Sequence, residues 1–148
     1  FSAFDELAER FGLEKIKTIG DAYMVAGGLN SASSRYTEAI ADMALAMHER
    51  LRHGFAPQGM RLAIRVGIGT GPVVAGVVGT RKFIYDVWGD TVNIASRITA
   101  EGTPGLVQCD TNTFERLRDR FDFEEPRTLR LKGKGEVAVH RLVGRKPR

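Results

Sequence analysis

The segment from Lys15 to Val25 constrains the fold most, because it has the pattern of two strands joined by a tight turn. Val, Ile, Thr and Tyr favour strands, and the Gly20-Asp21 pair in the middle favours a turn. Lys17 and Ile19 share one side of the first strand, with Asp21 at the tip beyond them. The sequence therefore predicts a hairpin that presents a carboxylate with a lysine behind it.

The aspartate at this tip, Asp21, has two interpretations. A carboxylate on a rigid hairpin is a suitable ligand for Mg²⁺ or Mn²⁺, because hard cations prefer oxygen donors on a rigid support. Aspartate is also simply a favourable turn residue. The hairpin alone leaves both interpretations open.

The length and composition indicate a single globular domain. The 148 residues can enclose a hydrophobic core, and a content of 43% hydrophobic and 27% charged residues is usual for soluble domains. No apolar run approaches the roughly 20 residues that span a bilayer, and no signal peptide is visible. The single cysteine, Cys109, excludes an internal disulfide framework, is typical of a reducing compartment, and is predicted to be a small core residue of a strand.

The net charge of +4 suits an anionic small substrate as well as a nucleic acid. Much of the excess comes from basic residues near the end of the chain, which we interpret as a solvated tail. The chain begins at Phe1, and its first residues already have helical spacing. We therefore expect it to be part of something longer.

Hydrophobic periodicity predicts the other elements. Helices are expected over 1–11, 35–53, 91–100 and 111–120, and strands over 62–68, 73–78, 83–88, 106–109 and within 121–143. Asp90 is predicted to be the N-cap of the third helix. Helices and strands alternate, but the paired hairpins argue against an all-parallel sheet. The pattern is therefore α+β, with one mostly antiparallel sheet and helices packed on one face.

The glycine-rich stretch between residues 67 and 79 does not match a nucleotide-binding loop. Gly69 and Gly71 lack the spacing and the following helix of a dinucleotide fingerprint. Gly71 and Gly76 have P-loop separation, but Val77-Val78 stands where Lys-Ser/Thr is required. We expect these glycines to serve turns and close backbone packing in strands.

The helix after Trp88 presents polar groups that suit an anion. Asn93 and Arg97 are four residues apart and face the same way. A separate apolar stripe can be buried against the sheet: Ile94, Ala95 and Ile98. An arginine can bind phosphate oxygens through paired donors. The alternative is an ordinary exposed helix face.

Two further polar features also have alternative explanations. Asp86, in an apolar strand, needs a partner or an exposed edge. It can accept from an exocyclic amine, or pair with a lysine for structural reasons. The turn Lys132-Gly133-Lys134-Gly135 can contact phosphate, although such turns are common on surfaces. Three histidines show no metal-ligand spacing and are predicted to be structural or surface residues: His48, His53 and His140.

Three separated motifs, in this order, closely resemble the catalytic domain of class III adenylate cyclases, especially its mycobacterial, mammalian-like homodimeric members. The motifs are KTIGD over 17–21, DVWGDTVNIASR over 86–97 and LKGKG over 131–135. The resemblance covers nearly the whole chain, and three spaced motifs are far harder to obtain by chance than one. It implies a ferredoxin-like, palm-type sheet and a single cyclase domain over residues 1–148.

The resemblance implies a role for each matching residue. Lys17 would donate to N1 of adenine, and Asp86 would accept from the N6 amine. Guanylate cyclases typically carry Glu and a small residue such as Cys at these positions, so ATP is favoured over GTP. Asn93 and Arg97 resemble the pair that orients the ribose and stabilises charge at the reacting phosphorus. Lys132 is similar to the lysine that meets the terminal phosphates.

The implied reaction converts ATP to 3′,5′-cyclic AMP and pyrophosphate by in-line attack of the ribose 3′-hydroxyl on the α-phosphorus. Asp21 resembles the second of two aspartates that would hold two Mg²⁺ or Mn²⁺ ions. Arg65 is similar to an arginine that contacts phosphate from the metal side.

The resemblance also implies a head-to-tail homodimer with two sites at its interface. One copy would supply Asp21 and Arg65. The other copy would supply the remaining site residues: Lys17, Asp86, Asn93, Arg97 and Lys132. A lone monomer is then expected to be inactive.

One departure from the family pattern affects the metal site. The first metal aspartate of the family lies on a strand before the first helix, and the sequence begins after that point. We therefore expect an N-terminally incomplete domain that lacks its first strand. Such a fragment would have weak or no activity and would misassociate through an exposed sheet edge.

Two other function classes remain as alternatives. A catalytically incompetent fragment would bind nucleotide and dimerise without turnover; the missing aspartate favours it, whereas Asp21, Asn93 and Arg97 disfavour it. A nucleic-acid-binding module would stack bases on surface aromatics in a recognisable pattern, and the sequence shows none. The expected partners are therefore ATP and a second copy, with no nucleic acid. The expected location is a cytoplasmic domain, and a membrane-anchored parent stays open.

Overall fold

The structure, a computed structural model, describes residues 2–29, 35–52, 64–79 and 84–147. Within these ranges the chain forms four helices and nine strands, which confirms the α+β class. The helices are α1 (Ser2–Arg10), α2 (Arg35–Arg52), α3 (Asp90–Glu101) and α4 (Thr111–Leu117). The strands are β1 (Glu14–Ile19), β2 (Ala22–Ala26), β3 (Val66–Ile68), β4 (Val74–Val78), β5 (Ile84–Trp88), β6 (Val107–Cys109), β7 (Phe121–Phe123), β8 (Arg127–Leu131) and β9 (Gly135–Arg145).

The strands of the described ranges lie in three hydrogen-bonded sheets rather than in the single sheet expected. Strands β1 and β2 form one antiparallel pair, and β4 and β5 form another. The third sheet has the order β3-β6-β9-β7, with β8 paired to β9. Its pairs are antiparallel except for β3 and β6, where Val66 lies opposite Val107. A parallel pair needs a long crossover, and α3 provides a helix within it.

The predicted hairpin at the start of the chain is confirmed. Ile19 lies opposite Ala22 across the turn, and Gly20 has a φ of 58°, which glycine adopts without strain. The pairing register of β1 with β2 shifts between Lys15 and Lys17. The turn residue Asp21 is exposed at the tip, as the sequence predicts.

Several predicted boundaries need correction. The strand expected over 62–68 begins at Val66, and its first two residues lie outside the described ranges. The end expected for α2, at His53, also lies outside them. Helix α4 ends at Leu117, because the chain tightens there and the Arg120 N–H donates to the Leu117 carbonyl at 3.0 Å. The residue expected as the N-cap of α3, Asp90, is instead its first helical residue.

The N-cap of α3 is Gly89, whose φ of 133° suits glycine and explains the correction. No side chain caps this end of the helix. The carboxylate of Asp90 is instead paired with the ammonium of Lys134. The sequence prediction failed here because it assigned to a local cap a carboxylate whose partner lies far along the chain.

The buried side chains form three clusters. The first, where α2 and α4 meet the five-stranded sheet, includes Ala41, Val107 and Cys109. Cys109 is buried as expected, and this burial raises the pKa of its thiol. The other two clusters join α1 to α2 and α3 to the β8–β9 hairpin. No helix of the described ranges is long and apolar enough to cross a membrane.

Candidate active site

A direct contact between Lys17 and Asp86 joins β1 to β5. The Nζ atom of Lys17 lies 2.8 Å from Oδ2 of Asp86. The other carboxylate oxygen accepts from the N–H of Val87, also at 2.8 Å. The ammonium of Lys17, and then the Val87 N–H, hold the pKa of the Asp86 carboxyl below its usual range. The structure therefore brings the two residues together, with the carboxylate ionised and fixed in direction.

This pair keeps the capacity to bind a ligand. An ammonium has three donors and a carboxylate about four acceptor positions, so one mutual contact leaves most of them available. Both side chains are partly exposed, at 32% for Lys17 and 21% for Asp86. An exposed ion pair contributes little to stability. Asp86 therefore does pair with a lysine, which was the structural alternative that the sequence left open. This contact does not exclude ligand binding.

Two glycines of the β3 region hold α3 against the sheet. A Cβ atom on Gly67 would lie 2.5 Å from the Ala95 carbonyl oxygen and 2.7 Å from the Thr99 nitrogen. A Cβ atom on Gly69 would lie 2.9 Å from the Thr91 carbonyl oxygen. The helix backbone thus approaches the strand too closely for any side chain there, which confirms the close packing predicted for these glycines.

The loop after β3 is fixed by a hydrogen-bonded cluster at the start of α4. Asp110 caps α4, with Oδ1 accepting from the Thr113 N–H at 3.0 Å. Its other oxygen accepts from the Thr70 N–H at 3.3 Å. Thr70 and Thr113 also join through their hydroxyls at 2.7 Å. The start of the connection between β3 and β4, against which α3 packs, is therefore held by the first turn of α4.

Helix α3 then presents its polar face beside the turn between β8 and β9. Ile98 is fully buried, whereas Asn93 is exposed and Arg97 partly so. A Cβ atom on Gly133 would lie 3.8 Å from Nη2 of Arg97, so the guanidinium lies next to the turn that carries Lys132. The structure thus brings Arg97 and this turn together, although they are far apart in sequence.

Three polar side chains of this region are available to a ligand. Within the described ranges, Asn93, Arg97 and Lys132 make no side-chain hydrogen bond or ion pair. Lys134 differs, because it is paired with Asp90. Sequence reasoning missed this ion pair, since its partners are 44 residues apart and belong to no local pattern.

The structure does not connect Asp21 or Arg65 to the other site residues. Both are exposed, and neither side chain has a hydrogen-bond or ion-pair partner in the described ranges. No group of three His, Cys, Asp or Glu residues is close enough there to hold a metal ion. One free carboxylate at a hairpin tip still fits Mg²⁺, which proteins commonly bind through one or two carboxylates together with substrate phosphates.

The Lys17–Asp86 pair lies beside an exposed apolar surface. Asp86 and Trp88 are two residues apart on β5 and so share a face. Val74 lies opposite Trp88 on β4. Three apolar side chains on this side stay exposed: Ile19 at 62%, Val74 at 54% and Trp88 at 41%. We call these three residues the apolar patch.

Of the histidines in the described ranges, His140 is a structural residue, in line with the prediction. His140 is buried, its Nε2 lies 3.1 Å from the Thr111 hydroxyl, and its ring stacks on Phe114 with centroids 4.1 Å apart. This burial lowers the pKa of His140, against the opposing effect of nearby carboxylates. His48 lies in α2, and His53 lies outside the described ranges.

Known proteins match nearly the whole of this sequence. The family described as the adenylate and guanylate cyclase catalytic domain matches residues 1–144. An adenylate cyclase of Mycobacterium tuberculosis is 47% identical over 146 residues, which cover 99% of this chain and 33% of that protein. The chain thus spans about a third of the length of that relative.

Solved structures agree in fold. The guanylate cyclase domain of RhGC from Catenaria anguillulae, in complex with GTP, superposes with a TM-score of 0.87 at 30% identity, covering 98% of this chain and 80% of that one. A rhodopsin-guanylyl cyclase core of converted specificity, in complex with ATPαS, also reaches 0.87, at 32% identity, covering 97% and 78%. The chain belongs to the adenylate and guanylate cyclase catalytic domain family.

Proposed function

We propose that this chain is the catalytic domain of an adenylate cyclase, which converts ATP to 3′,5′-cyclic AMP and pyrophosphate at a site shared with a second copy. The observation that carries the proposal is the 2.8 Å contact between Lys17 Nζ and Asp86 Oδ2. This contact holds a donor and an ionised acceptor side by side next to an open face.

The pair suits adenine better than guanine. With Lys17 at N1 of the purine and Asp86 at the C6 substituent, adenine offers an acceptor to the ammonium and an amine to the carboxylate. Guanine would present N1–H to the ammonium and O6 to the carboxylate, and both contacts would be repulsive. Because a similar solved structure is a guanylate cyclase domain in complex with GTP, the two nucleotides are compared directly in the assay below.

The polar face of α3 would act on the ribose and phosphates. Asn93 would orient the ribose, and Arg97 would donate to the α-phosphate oxygens as charge develops on them. Lys132, on the adjacent turn, would bind the terminal phosphates. The O3′–Pα bond forms, the bond from Pα to the bridging oxygen of the β-phosphate breaks, and the hydroxyl proton passes to solvent. The chain therefore orients the reacting groups and neutralises charge, and it forms no covalent bond to the substrate.

The remaining groups would come from the second copy. Asp21 would hold Mg²⁺ or Mn²⁺, and Arg65 would contact phosphate. When bound, the ions supply Lewis-acid activation of the hydroxyl and stabilise the leaving pyrophosphate. Docking of the second copy on the apolar patch would cover it and close the site beside Lys17 and Asp86.

The test is an assay of the purified protein, with and without its upstream sequence, for cyclic AMP from ATP and cyclic GMP from GTP, in Mn²⁺ and in Mg²⁺. We expect cyclic AMP, with turnover lowered about 100-fold or more in Arg97→Ala and Asp21→Ala, since each removes a group that stabilises charge in the transition state. Asp122→Ala and Lys146→Ala alter exposed residues outside the site and serve as matched controls.

Other outcomes would contradict particular parts of the proposal. An excess of cyclic GMP over cyclic AMP would overturn the base preference. Binding of 3′-deoxy-ATP, which lacks the attacking hydroxyl, without turnover of ATP in either form of the protein would support the nucleotide-binding alternative instead.

A further inference from the structure

The tip of the β8–β9 hairpin has no apolar anchor of its own. Leu131 is 1% exposed and packs with Ile98 and Val139, which fixes the hairpin on α3 up to that residue. The four residues that follow are all exposed, and two of them are glycines with positive φ: Lys132, Gly133 (82°), Lys134 and Gly135 (74°). One backbone hydrogen bond, from the Lys134 N–H to the Leu131 carbonyl at 2.9 Å, closes the turn.

This tip lies along one face of α3. Asp90, Asn93 and Arg97 are spaced by three and four residues, so they follow one line along the helix, about 10 Å from first to last. Gly133 lies beside the Arg97 guanidinium at one end of this line. Lys134 pairs with Asp90 at the other end. The tip therefore spans the face that presents Asn93.

The Asp90–Lys134 ion pair has little to contribute to global stability. Asp90 is 64% exposed and Lys134 is 31% exposed. Ion pairs at such exposure are weak contributors to the free energy of unfolding. The ion pair matters more for the position of the tip, because the residues on either side of Lys134 are glycines and add no packing of their own.

We propose that Asp90 and Lys134 are positioning residues, which hold the tip over α3 so that Lys132 and Arg97 converge on the same polyphosphate. The inference rests on the proposed function for its substrate. Because Asp90 pairs with Lys134, the unpaired cations of the tip and of this α3 face, among the residues that the structure describes, are Lys132 and Arg97. Loss of either partner frees the tip, and Lys132 then leaves the position that Arg97 requires.

The test combines neutral, conservative and exchanged variants, with two readouts. The neutral variants are Asp90→Asn, Lys134→Gln and their double variant; the conservative variant is Lys134→Arg; the exchange is Asp90→Lys with Lys134→Asp. For each, kcat and KM for cyclic AMP formation are measured, together with the Kd of 3′-deoxy-ATP in Mn²⁺. Asp122→Asn and Lys146→Gln are the charge-matched controls, because both residues are exposed and lie outside the site.

Each neutral single variant is expected to lower kcat about tenfold and to weaken 3′-deoxy-ATP binding severalfold, since small misplacements of charged groups are costly to catalysis. The double variant should be no worse than either single variant, because both break the same contact. The exchanged pair and Lys134→Arg should recover most of both losses, and the controls should match the wild type.

Several results would overturn the inference. Neutral single variants that behave as wild type would show that the tip needs no such contact. A loss in Lys134→Gln without a loss in Asp90→Asn would show that Lys134 contacts the nucleotide directly. A rise in kcat in Asp90→Asn would show that the pair restrains the tip.

Failure of the proposed function gives a different pattern. A wild type that makes no cyclic AMP, but whose 3′-deoxy-ATP affinity follows the expected order of variants, contradicts the cyclase proposal and keeps the positioning role. A wild type that neither makes cyclic AMP nor binds 3′-deoxy-ATP removes both.

Discussion

At the scale of single residues, the proposed base preference depends on the contact between Lys17 and Asp86. Asp86 is held from two sides, by the Lys17 ammonium and by the Val87 N–H, so its carboxylate cannot turn freely. A rigid, charged acceptor discriminates well between an amine and a carbonyl, because the wrong group leaves a charge without a partner.

Replacing both residues of this pair should reverse the proposed base preference. In Lys17→Glu with Asp86→Cys, a carboxylate replaces the ammonium and can accept from guanine N1–H, while the repulsion between the Asp86 carboxylate and O6 is removed. We expect the ratio of kcat/KM for ATP over GTP to fall by at least about 100-fold. Initial rates with both nucleotides measure it, and Lys15→Glu, on the same strand, is the control. An unchanged ratio would remove this pair from base recognition.

The buried His140 predicts a pH dependence of stability. Its folded-state pKa is lowered from 6.5 by burial, despite the nearby carboxylates of Asp110 and Glu115. The unfolded chain therefore binds the proton first, and stability is lost as the pH falls below about 6.5 toward the folded value. Urea unfolding at several pH values should show this slope in the wild type and a smaller one in His140→Gln. Equal slopes would contradict the assignment, because every other histidine is common to both proteins.

At the scale of elements, Gly67 in β3 and Gly69 just after it determine how closely α3 approaches, and hence where Asn93 and Arg97 lie. Gly67→Ala would place its Cβ 2.5 Å from the Ala95 carbonyl oxygen, a backbone atom that cannot move without the helix. We expect a loss of roughly 1–3 kcal/mol in the free energy of unfolding, and a lower kcat in the fraction that folds. Chemical denaturation and turnover measure the two effects.

The matched control for this substitution is Gly144→Ala. A Cβ on Gly144 would have nothing within 4 Å, and this glycine also lies in a strand, β9. If both variants lost the same stability, the cost would come from general strand effects and not from the approach of α3.

Local patterns made most elements predictable from the sequence. The hairpin around Gly20-Asp21 and the apolar stripe of α3 depend on residues close together in the chain, and both were predicted correctly. The cap of α3 was not, because Gly89 satisfies a backbone angle and Asp90 pairs with Lys134, 44 residues away. The parallel pairing of β3 with β6 was missed for the same reason, since strand partners across a crossover leave no local signal.

The candidate site shows the same contrast between local features, which the sequence predicts, and distant contacts, which it does not. The nature of its side chains was predictable, since charged and amide groups such as Asp86 and Asn93 stand out in apolar segments. Their assembly was not predictable from spacing, because the Lys17–Asp86 contact spans 69 positions and Arg97 meets a turn from another hairpin. The resemblance to a family supplied the expected partners, and packing of β1 against β5 and of α3 against the β8–β9 hairpin provides the geometry.

At the scale of the whole molecule, the decisive feature is that the side chains proposed for catalysis do not all meet within the described part of one chain. Lys17 contacts Asp86, and Arg97 lies beside the turn that carries Lys132, whereas Asp21 and Arg65 have no side-chain partner in the described ranges. If a second copy unites them, activity must depend on association. The rate per chain should then fall as the protein is diluted below its dimer dissociation constant.

A charge introduced into the apolar patch should weaken association of two copies while each copy still folds. Val74→Glu places a carboxylate at a position that is 54% exposed in the single chain and covered in the proposed dimer, so association should weaken at least about tenfold. Val143→Glu is the control, because Val143 is similarly exposed, at 50%, on β9. Sedimentation should show Val74→Glu shifted toward monomer, with a loss of turnover that a higher protein concentration partly restores. Full activity from a Val74→Glu monomer would mean that one copy holds the complete site, and the shared-site proposal would have to be abandoned.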